Sequence, residues 1–287
     1  MPNSKIIRTA PEAQGELRWE PPSGTLGELT ERAWARSQAL GALADRELIA
    51  ASRELTPRFG DALRNDHLSI IAEIKRKSPS KGEINPGIDS AEQASKYAAG
   101  GASAISVLTE PLRFGGSDQD VEEVRRAVTL PILKKDFHVS EAQLIHAAKT
   151  GASAALVIVR AIEPSRLPVL MGTARDLALE LMLEVRNELE LELAIHAGAT
   201  IIGVNNRNLE TLEIDRDTVT RIVPLVPPDI IAVAESGYAT PESVHEAASA
   251  GADAVLVGSS LSAAPDPASA VRSLSRIARQ PRRSAAG

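Results

Sequence analysis

The chain of 287 residues contains no cysteine, which excludes disulfide bonds, thiolate nucleophiles and cysteine-type zinc sites. Aromatic residues make up only 2% of the sequence, so a core has to be built from alanine, valine, leucine and isoleucine. No apolar run reaches membrane-spanning length, and the polar N-terminus lacks the apolar segment of a secretory signal. These absences favour a soluble cytoplasmic enzyme without a membrane partner.

Positive charge is scarcer than negative charge, which bears on possible partners. The formal net charge is −6, and no basic stripe with interleaved aromatic residues is present, so we expect no nucleic-acid partner. The sequence has neither a dinucleotide-binding fingerprint nor a Walker loop. Its five histidines show no spacing typical of metal ligands. We therefore expect neither a cofactor nor a metal.

A Gly-Ala phrase recurs four times at intervals of roughly fifty residues. The copies begin at Gly101, Gly151, Gly198 and Gly251. Glycine suits the left-handed end of a helix, and the nearly continuous apolar run after each copy predicts a strand buried on both faces. Four more such runs cover residues 69–75, 131–137, 179–185 and 230–236. With a plausible helix after each strand, the pattern predicts an α/β fold, a single (β/α)8 TIM barrel with extra N-terminal helices.

We divide the chain into three parts. Residues 1–24 are rich in proline, glycine and polar types, so we expect a mobile arm. Residues 25–280 form the barrel and its leading helices, the first of which is predicted from Thr25 to about Arg53 by its apolar period. Residues 281–287 are expected to fray, with two solvated arginines. Further helices are predicted to begin at the capping residues Asp89, Ser117, Ser140 and Thr240.

The first predicted strand ends in a dense group of charges. Because side chains alternate along a strand, we expect Glu73, Lys75 and Lys77 to share the face that looks into the barrel mouth. An acid and a base two positions apart can hold each other ionised in a cleft. A charge-rich surface loop is the competing interpretation, but Glu73 lies within the apolar run SIIAEI. The segment 78–82 suits a loop that closes over a ligand.

Two further strands end in candidate catalytic groups. Lys135 shares a face with Leu133 and Phe137. A lysine among apolar groups near another cation has a lowered pKa and can act as a general acid; a strand-end lysine that reaches out to water is an equally good interpretation of this position alone. Glu184 closes the apolar run LMLEV, where an unpaired carboxylate is costly, so we predict a general base.

The last three strands end in groups that suit an anionic ligand. Asn205 and Arg207 can orient a polar, negatively charged molecule, although asparagine-rich loops are also common turns. Small glycine and serine loops follow the seventh and eighth strands, where barrels of this class offer backbone N–H groups to a phosphate. Either loop alone is an ordinary turn, but the pair predicts a phosphorylated small-molecule substrate. The loops contain Ser236, Gly237, Gly258 and Ser259.

Together these residues resemble the indole-3-glycerol phosphate synthase family, whose members are (β/α)8 enzymes of tryptophan biosynthesis. The likeness runs from about Ser69 to about Ser262. It is carried, in order and at strand ends, by IIAEIKRKSPSKG, SVLTEPLRFGGS, PILKKDF, LEV, GVNNRNLETLEID, AESG and VLVGSSL. The family converts 1-(2-carboxyphenylamino)-1-deoxyribulose 5-phosphate to indole-3-glycerol phosphate with release of CO2 and water. The resemblance therefore implies a carboxy-lyase.

The resemblance also implies a role for each candidate residue. Lys135 is the general acid that protonates the substrate's ketone oxygen as the aromatic carbon attacks. Lys75 and Glu73 assist the later loss of a hydroxyl group and a proton, while Glu184 stabilises positive charge on the anilino group or acts as the base. Asn205, which we count with the catalytic group, orients the substrate. The binding residues are Arg207 for orientation, Phe114 and Phe137 against the anthranilate ring, Ser78 in the covering loop, and Ser236, Gly237, Leu256, Gly258 and Ser259 around the phosphate.

Three positions depart from the family's pattern. Arg160 ends the fourth strand where a small residue is usual, and Arg186 stands where histidine or serine is commoner. Asp118 replaces an apolar residue and suits a helix cap. Arg160 adds a cation near the mouth that could contact the substrate's carboxylate, pair with Glu184 or signal an altered substrate.

Two other classes of function compete with the synthase. One is a different enzyme on the same barrel: a paralogue that acts on a modified anthranilate adduct, or a phosphoribosylanthranilate isomerase. The isomerase family works with cysteine and aspartate, and this chain has no cysteine. The other class is a non-catalytic phosphate-binding protein, which the loss of Lys135 or Glu184 would have indicated. No long exposed apolar stripe is evident, so we favour a monomer.

Overall fold

The fold is a closed barrel of eight parallel strands, seen in a computed structural model that describes residues 19–40, 53 and 56–282. The barrel strands are β1 Ser69–Ile74, β4 Ala104–Leu108, β5 Ile132–Lys135, β6 Ala154–Ile158, β7 Glu180–Val185, β8 Ile201–Asn205, β9 Ile231–Glu235 and β10 Ala254–Val257. Between β1 and β4, the strands β2 Lys77–Ser78 and β3 Gly82–Glu83 form an antiparallel hairpin. The order around the barrel is β1-β10-β9-β8-β7-β6-β5-β4, and β1 pairs with β4 to close it. The predicted (β/α)8 barrel is confirmed.

Helices surround the barrel. They are α1 Gly24–Gln38, α2 Phe59–Leu63, α3 Ser90–Gly100, α4 Asp118–Ala127, α5 Glu141–Lys149, α6 Leu167–Asp176, α7 Glu188–His196, α8 Asp217–Ile222, α9 Pro241–Ser249, α10 Ser259–Ser262 and α11 Pro267–Leu274. The four predicted caps each accept a backbone N–H from the first turn of their helix. The four repeated glycines follow helices with φ values of 94, 87, 86 and 92°, so the predicted left-handed helix ends are confirmed.

The barrel core is aliphatic, as the scarcity of aromatic residues requires. Every residue of β4, β6, β8, β9 and β10 is buried. Tyr97 and Phe59 are the only aromatic residues among the largest fully buried side chains of the described chain. Within the described ranges, no helix is long and apolar enough to cross a membrane.

The leading segment covers both ends of the barrel. Helix α1 buries Leu26, Leu29 and Ala33 and lies at the carboxyl ends of the strands. Helix α2 lies at the opposite end, where the backbone N–H of Phe59 donates to Glu180 at the start of β7 (2.5 Å). The first helix, predicted to run to about residue 53, ends at Gln38, and residues 41–52 lie outside the described part of the chain. Residues 1–18 of the predicted arm lie outside it as well.

Arg282 departs from the solvated tail that we expected. Its side chain is only 3% exposed and contacts the Asp253 carboxylate at 2.6 Å. The same guanidinium donates to the backbone carbonyl of Ile230 at 2.5 Å. Arg282 therefore binds the end of the described chain to the residues that precede β9 and β10. The composition of the terminal segment alone does not predict this contact. Arg283 and the residues after it lie outside the described ranges.

Candidate active site

A cavity of about 540 Å³ opens at the carboxyl ends of the barrel strands, a size suited to a small-molecule ligand. All of the predicted site residues line it: Glu73, Lys75, Ser78, Phe114, Lys135, Phe137, Glu184, Asn205, Arg207, Ser236, Gly237, Leu256, Gly258 and Ser259. Lys77, which we expected beside Glu73 and Lys75, is not among the lining residues. Strand β1 ends at Ile74 and Lys77 begins the hairpin strand β2, so the alternation of β1 no longer governs it.

Lys135 is held between two carboxylates on the cavity floor. Its Nζ lies 2.8 Å from Glu235 Oε2 and 3.2 Å from Glu184 Oε2. Asn205 Nδ2 donates to the other oxygen of Glu184 at 2.9 Å. The strand register explains the cluster, because Asn205 of β8 pairs with Glu235 of β9, and Glu184 of β7 pairs with Gly203 of β8. The floor is thus a connected network from three neighbouring strands plus β5.

Glu235 is the site residue that the sequence reasoning missed. It closes the apolar run IIAVAE as Glu184 closes LMLEV, and the same argument about a costly carboxylate would have selected it. Its Oε1 is buried and has no hydrogen-bond partner among the described residues. A β-carbon on Gly203 would lie 2.2 Å from that oxygen, so the glycine leaves the space in which Glu235 sits.

The protonation of this floor differs from our expectation. Burial lowers the pKa of Lys135, but the nearby carboxylates of Glu235, Glu184 and Glu73 outweigh it, and the net effect raises the pKa above its ordinary value. The predicted lowered pKa is therefore wrong, because acids and not a second cation surround the amine. Burial raises the pKa of Glu235 to about 7, against the opposing charge of Lys135. Lys135 is consequently protonated at neutral pH. The pKa of Glu235 lies close to neutral pH.

A second acid and base pair lies at the end of β1. Lys75 Nζ contacts Glu73 Oε1 at 2.5 Å, and Glu73 is 2% exposed against 17% for Lys75. A β-carbon on Gly258 would lie 2.2 Å from Glu73 Oε1 and 3.0 Å from Lys75 Nζ. Glycine at position 258 therefore lets the loop after β10 pass directly beside this pair. The backbone N–H of Lys75 also donates to Ser262 Oγ at 3.1 Å.

Two phenylalanines form an apolar wall next to Lys135. The ring centroids of Phe114 and Phe137 lie 6.4 Å apart, with the planes tilted by 42°. Other apolar side chains that line the cavity are Leu29, Leu108, Leu156, Ile158 and Leu209. The wall is dry and aromatic, which suits a planar ring.

Buried carboxylates hold the two loops that carry these rings. Glu110 accepts the backbone N–H groups of Leu112, Arg113 and Phe114, at 3.1, 2.6 and 3.1 Å. The Asp136 carboxylate accepts the backbone N–H of Phe137 at 2.8 Å and Thr109 Oγ1 at 2.8 Å. Both turns are thus fixed by charge-assisted hydrogen bonds, which are stronger than neutral ones.

Arg36 of α1 connects these two turns. Its guanidinium lies 2.6 Å from Asp136 Oδ1 and 3.7 Å from Glu110 Oε1. The leading helix therefore supports the aromatic wall from outside the barrel.

The loops after β9 and β10 border the opposite side of the cavity. Ser236 and Gly237 have φ values of 63 and 95°, which turn the chain sharply at the end of β9. Asn206 Nδ2 donates to the Ser236 carbonyl at 3.1 Å and fixes this turn. Gly258 and Ser259 follow β10 at the start of α10. Glycine and serine at both turns let a ligand approach the backbone closely.

Arg160 and Asp118, two of the three unusual positions, have side-chain partners outside the cavity. Arg160 pairs with Glu210 Oε1 at 3.1 Å and donates to the Glu20 carbonyl at 2.8 Å, so it does not pair with Glu184. The N-cap of α4 is Ser117 and not Asp118.

Asp118 and Arg186 make their contacts away from the cavity. The Asp118 carboxylate contacts Lys134 Nζ and lies 2.8 Å from His146 Nε2. The backbone N–H of Arg186 donates to Glu190 at 2.7 Å. Neither Arg160 nor Arg186 is among the residues that line the cavity.

The comparison with known proteins agrees with this geometry. Residues 31–274 match the family model described as Indole-3-glycerol phosphate synthase. The chain belongs to the indole-3-glycerol phosphate synthase family. A protein of that name from Nocardioides sp. is 47% identical over 257 residues, which cover 89% of this chain and 96% of that protein. Indole-3-glycerol phosphate synthase 1 from Streptomyces coelicolor is 48% identical over 241 residues, or 81% and 90% of the two chains.

A solved structure outside the family has the same fold. Thiamine phosphate pyrophosphorylase from Pyrococcus furiosus superposes with a TM-score of 0.56 over 73% of this chain and 94% of that chain. The sequence identity is 17%, so this likeness concerns the barrel alone.

Proposed function

We propose that this protein is an indole-3-glycerol phosphate synthase. It closes the pyrrole ring of 1-(2-carboxyphenylamino)-1-deoxyribulose 5-phosphate and releases CO2 and water. The observation that carries the proposal is the Lys135 ammonium, fixed between Glu184 and Glu235 at the floor of a cavity with an aromatic wall. Membership of the family supplies the substrate and the pathway.

The cavity orients the substrate by its two ends. The turns at Ser236-Gly237 and Gly258-Ser259 hold the phosphate, and the rings of Phe114 and Phe137 pack against the anthranilate ring. Leu256 lies on β10 between these regions, and Ser78 contributes from the hairpin after β1. The substrate ketone then lies over the floor. Binding at both ends places the attacking aromatic carbon near the ketone carbon, which is the main requirement of an intramolecular ring closure.

Lys135 acts as the general acid in ring closure. Its ammonium donates a proton to the ketone oxygen while the aromatic carbon that bears the carboxylate forms a bond to the ketone carbon. The anilino nitrogen donates its lone pair to the ring and so becomes positively charged, and the carboxylate of Glu184 stabilises that charge. Asn205 holds Glu184 in place through its 2.9 Å hydrogen bond. Loss of CO2 then returns the bonding electrons to the ring and restores its aromaticity.

The pair at the end of β1 completes the reaction. Lys75 donates a proton to the departing hydroxyl group, which leaves as water. Glu73 then accepts the proton from the carbon next to the nitrogen, and the indole double bond forms. The 2.5 Å contact between the two side chains holds this acid and this base next to each other before the substrate arrives. Arg207 helps to orient the substrate from the loop after β8.

The structure gives no support to a modified substrate. Arg160 and Arg186, which raised that possibility, do not line the cavity, and Arg160 is engaged by Glu210 and by the Glu20 carbonyl.

To test the proposal, purified protein is mixed with 1-(2-carboxyphenylamino)-1-deoxyribulose 5-phosphate, and formation of the indole product is followed by its absorbance. Turnover that disappears in Lys135→Ala supports both the reaction and the acid. A folded protein without turnover would refute the assignment. We further propose that the enzyme works as a monomer in the cytoplasm, which size-exclusion chromatography with light scattering and cell fractionation would check.

A further inference from the structure

The catalytic floor has no positive charge to spare for the substrate. Lys75 pairs with Glu73, and Lys135 pairs with both Glu184 and Glu235. The substrate of the proposed reaction carries a phosphate and a carboxylate. Placing these anions in a partly enclosed cavity is costly unless cations meet them. The compensating charge therefore has to come from cations that are not already paired.

Three cations that line the cavity lack an ion-pair partner in the described part of the chain. They are Lys81, Arg207 and Arg216. Arg207 donates to the backbone carbonyl of Leu212 at 2.7 Å and is anchored in its own loop. Lys81 lies in the hairpin loop between β2 and β3. Arg216 lies on the exposed rim, immediately before α8.

Arg216 is on the side of the cavity that holds the Ser236-Gly237 turn. Two residues before it, Ile214 lies close to this turn, since a β-carbon on Gly237 would lie 3.9 Å from Ile214 Cγ2. Arg216, Gly237 and Tyr238 also border a second, much smaller cavity together. Burial raises the pKa of the Tyr238 phenol to about 12, and the charge of Arg216 opposes that rise. The shared border of the smaller cavity and the effect of Arg216 on Tyr238 thus place the guanidinium close to this turn.

The neighbouring acids do not neutralise Arg216. Asp215 is occupied by the backbone N–H of Asp217 at 3.1 Å and by Thr218 Oγ1 at 3.1 Å. Glu246 borders the smaller cavity behind Tyr238 but forms no ion pair with Arg216 within the described residues. The guanidinium remains available to a ligand in the main cavity.

We propose that Arg216 binds the phosphate group of the substrate from the mouth of the cavity, next to the turn at Ser236 and Gly237. It adds a cation to a phosphate site that otherwise consists of small residues and backbone groups. The inference rests on the proposed function for the identity of the substrate, but the phosphate contact itself can be tested without turnover. A planar guanidinium can donate two parallel hydrogen bonds to a phosphate, which an ammonium cannot.

The test compares Arg216→Gln and Arg216→Lys with a matched control, Arg221→Gln. Arg221 lies on α8, the short helix that follows Arg216; it is exposed, pairs with Glu188 and does not line the cavity. For each protein we would measure kcat, KM and the competitive inhibition constant of inorganic phosphate at fixed ionic strength. The dissociation constant of inorganic phosphate, from calorimetry, provides a readout that needs no turnover.

We expect Arg216→Gln to raise KM and the inhibition constant of inorganic phosphate by about tenfold, with kcat changed less than twofold. Arg216→Lys should recover only part of this loss, because lysine restores the charge but not the two parallel hydrogen bonds, and Arg221→Gln should match the wild type. Unchanged constants in Arg216→Gln would overturn the proposal. A raised KM with unchanged phosphate inhibition would overturn it too, because Arg216 would then meet the substrate's carboxylate. If the wild type shows no turnover, a weaker phosphate affinity in Arg216→Gln still supports the contact while the proposed function fails.

Discussion

Replacing Lys135 by methionine tests the charge arrangement of the floor as well as the general acid. Methionine keeps much of the side-chain volume but removes the cation that lies between Glu184 and Glu235. Both carboxylates stay buried, with side-chain exposures of 4% and 2%. Removal of one partner from a buried ion pair costs about 3–5 kcal/mol. We expect about 3 kcal/mol, at the lower end of that range, because one carboxylate can take up a proton.

The sign of the pH dependence follows from the pKa of Glu235. This pKa is already raised to about 7 with Lys135 present, and without the cation it rises further. The folded variant then binds a proton that the unfolded chain releases above its ordinary carboxyl pKa. The contribution of this carboxyl group to the free energy of unfolding is largest at low pH and is lost as the pH rises through its folded-state pKa. The destabilisation of Lys135→Met should therefore be larger at pH 8 than at pH 5.5.

Urea unfolding at these two pH values measures the effect, with the double variant Lys135→Met/Glu235→Gln as the control. The double variant lacks the Glu235 carboxyl group with its raised pKa. It should therefore regain stability at pH 8, although it remains inactive. Turnover should fall by about 10²–10⁴-fold in both variants, the usual contribution of a general acid. Equal destabilisation at both pH values, or substantial remaining turnover, would refute this account of Lys135.

Three further predictions concern the surroundings of the floor. Gly203→Ala should displace Glu235 and cost activity, because the new methyl group would meet Glu235 Oε1; kcat is the measurement, with Gly172→Ala on α6 as the neutral control. Ser259→Glu should raise KM by placing a like charge against the phosphate, and an unchanged KM would mean that the phosphate binds elsewhere. Arg160→Ala should raise KM a few-fold with kcat retained, because the Glu20 segment loses its anchor, while urea unfolding should show a loss of only about 1 kcal/mol for this partly exposed pair.

The strands, the site residues at their ends and the helix starts could be predicted because each depends on residues that are neighbours in the sequence. A buried parallel strand is a short apolar run, and its end is marked by the first polar residue that faces the mouth. The alternation of side chains was enough to bring Glu73, Lys75, Lys135 and Glu184 to the same cavity. The helix starts were equally local, since each depends on one capping side chain and the turn that follows it.

The parts that could not be predicted depend on partners distant in sequence. The pKa of Lys135 is set by acids on β7 and β9, and the sequence pattern alone suggested a neighbouring cation instead. Arg282 seemed typical of a frayed end because Asp253, its partner, is far along the chain. Arg160 likewise finds Glu210 on another loop. In each case burial and charge pairing decide the state of the side chain, and neither follows from local composition.

Two glycines show how the fold makes room for the proposed chemistry. A carboxylate on the inner face of a narrow barrel needs space that a neighbouring side chain would fill. Gly203 provides this space for Glu235, and Gly258 provides it for Glu73, each with a would-be β-carbon 2.2 Å from the acid's oxygen. The glycine at position 258 also belongs to the proposed phosphate turn. A side chain at position 258 would therefore disturb the Glu73–Lys75 pair and the proposed phosphate turn together, so we expect Gly258→Ala to change both kcat and KM.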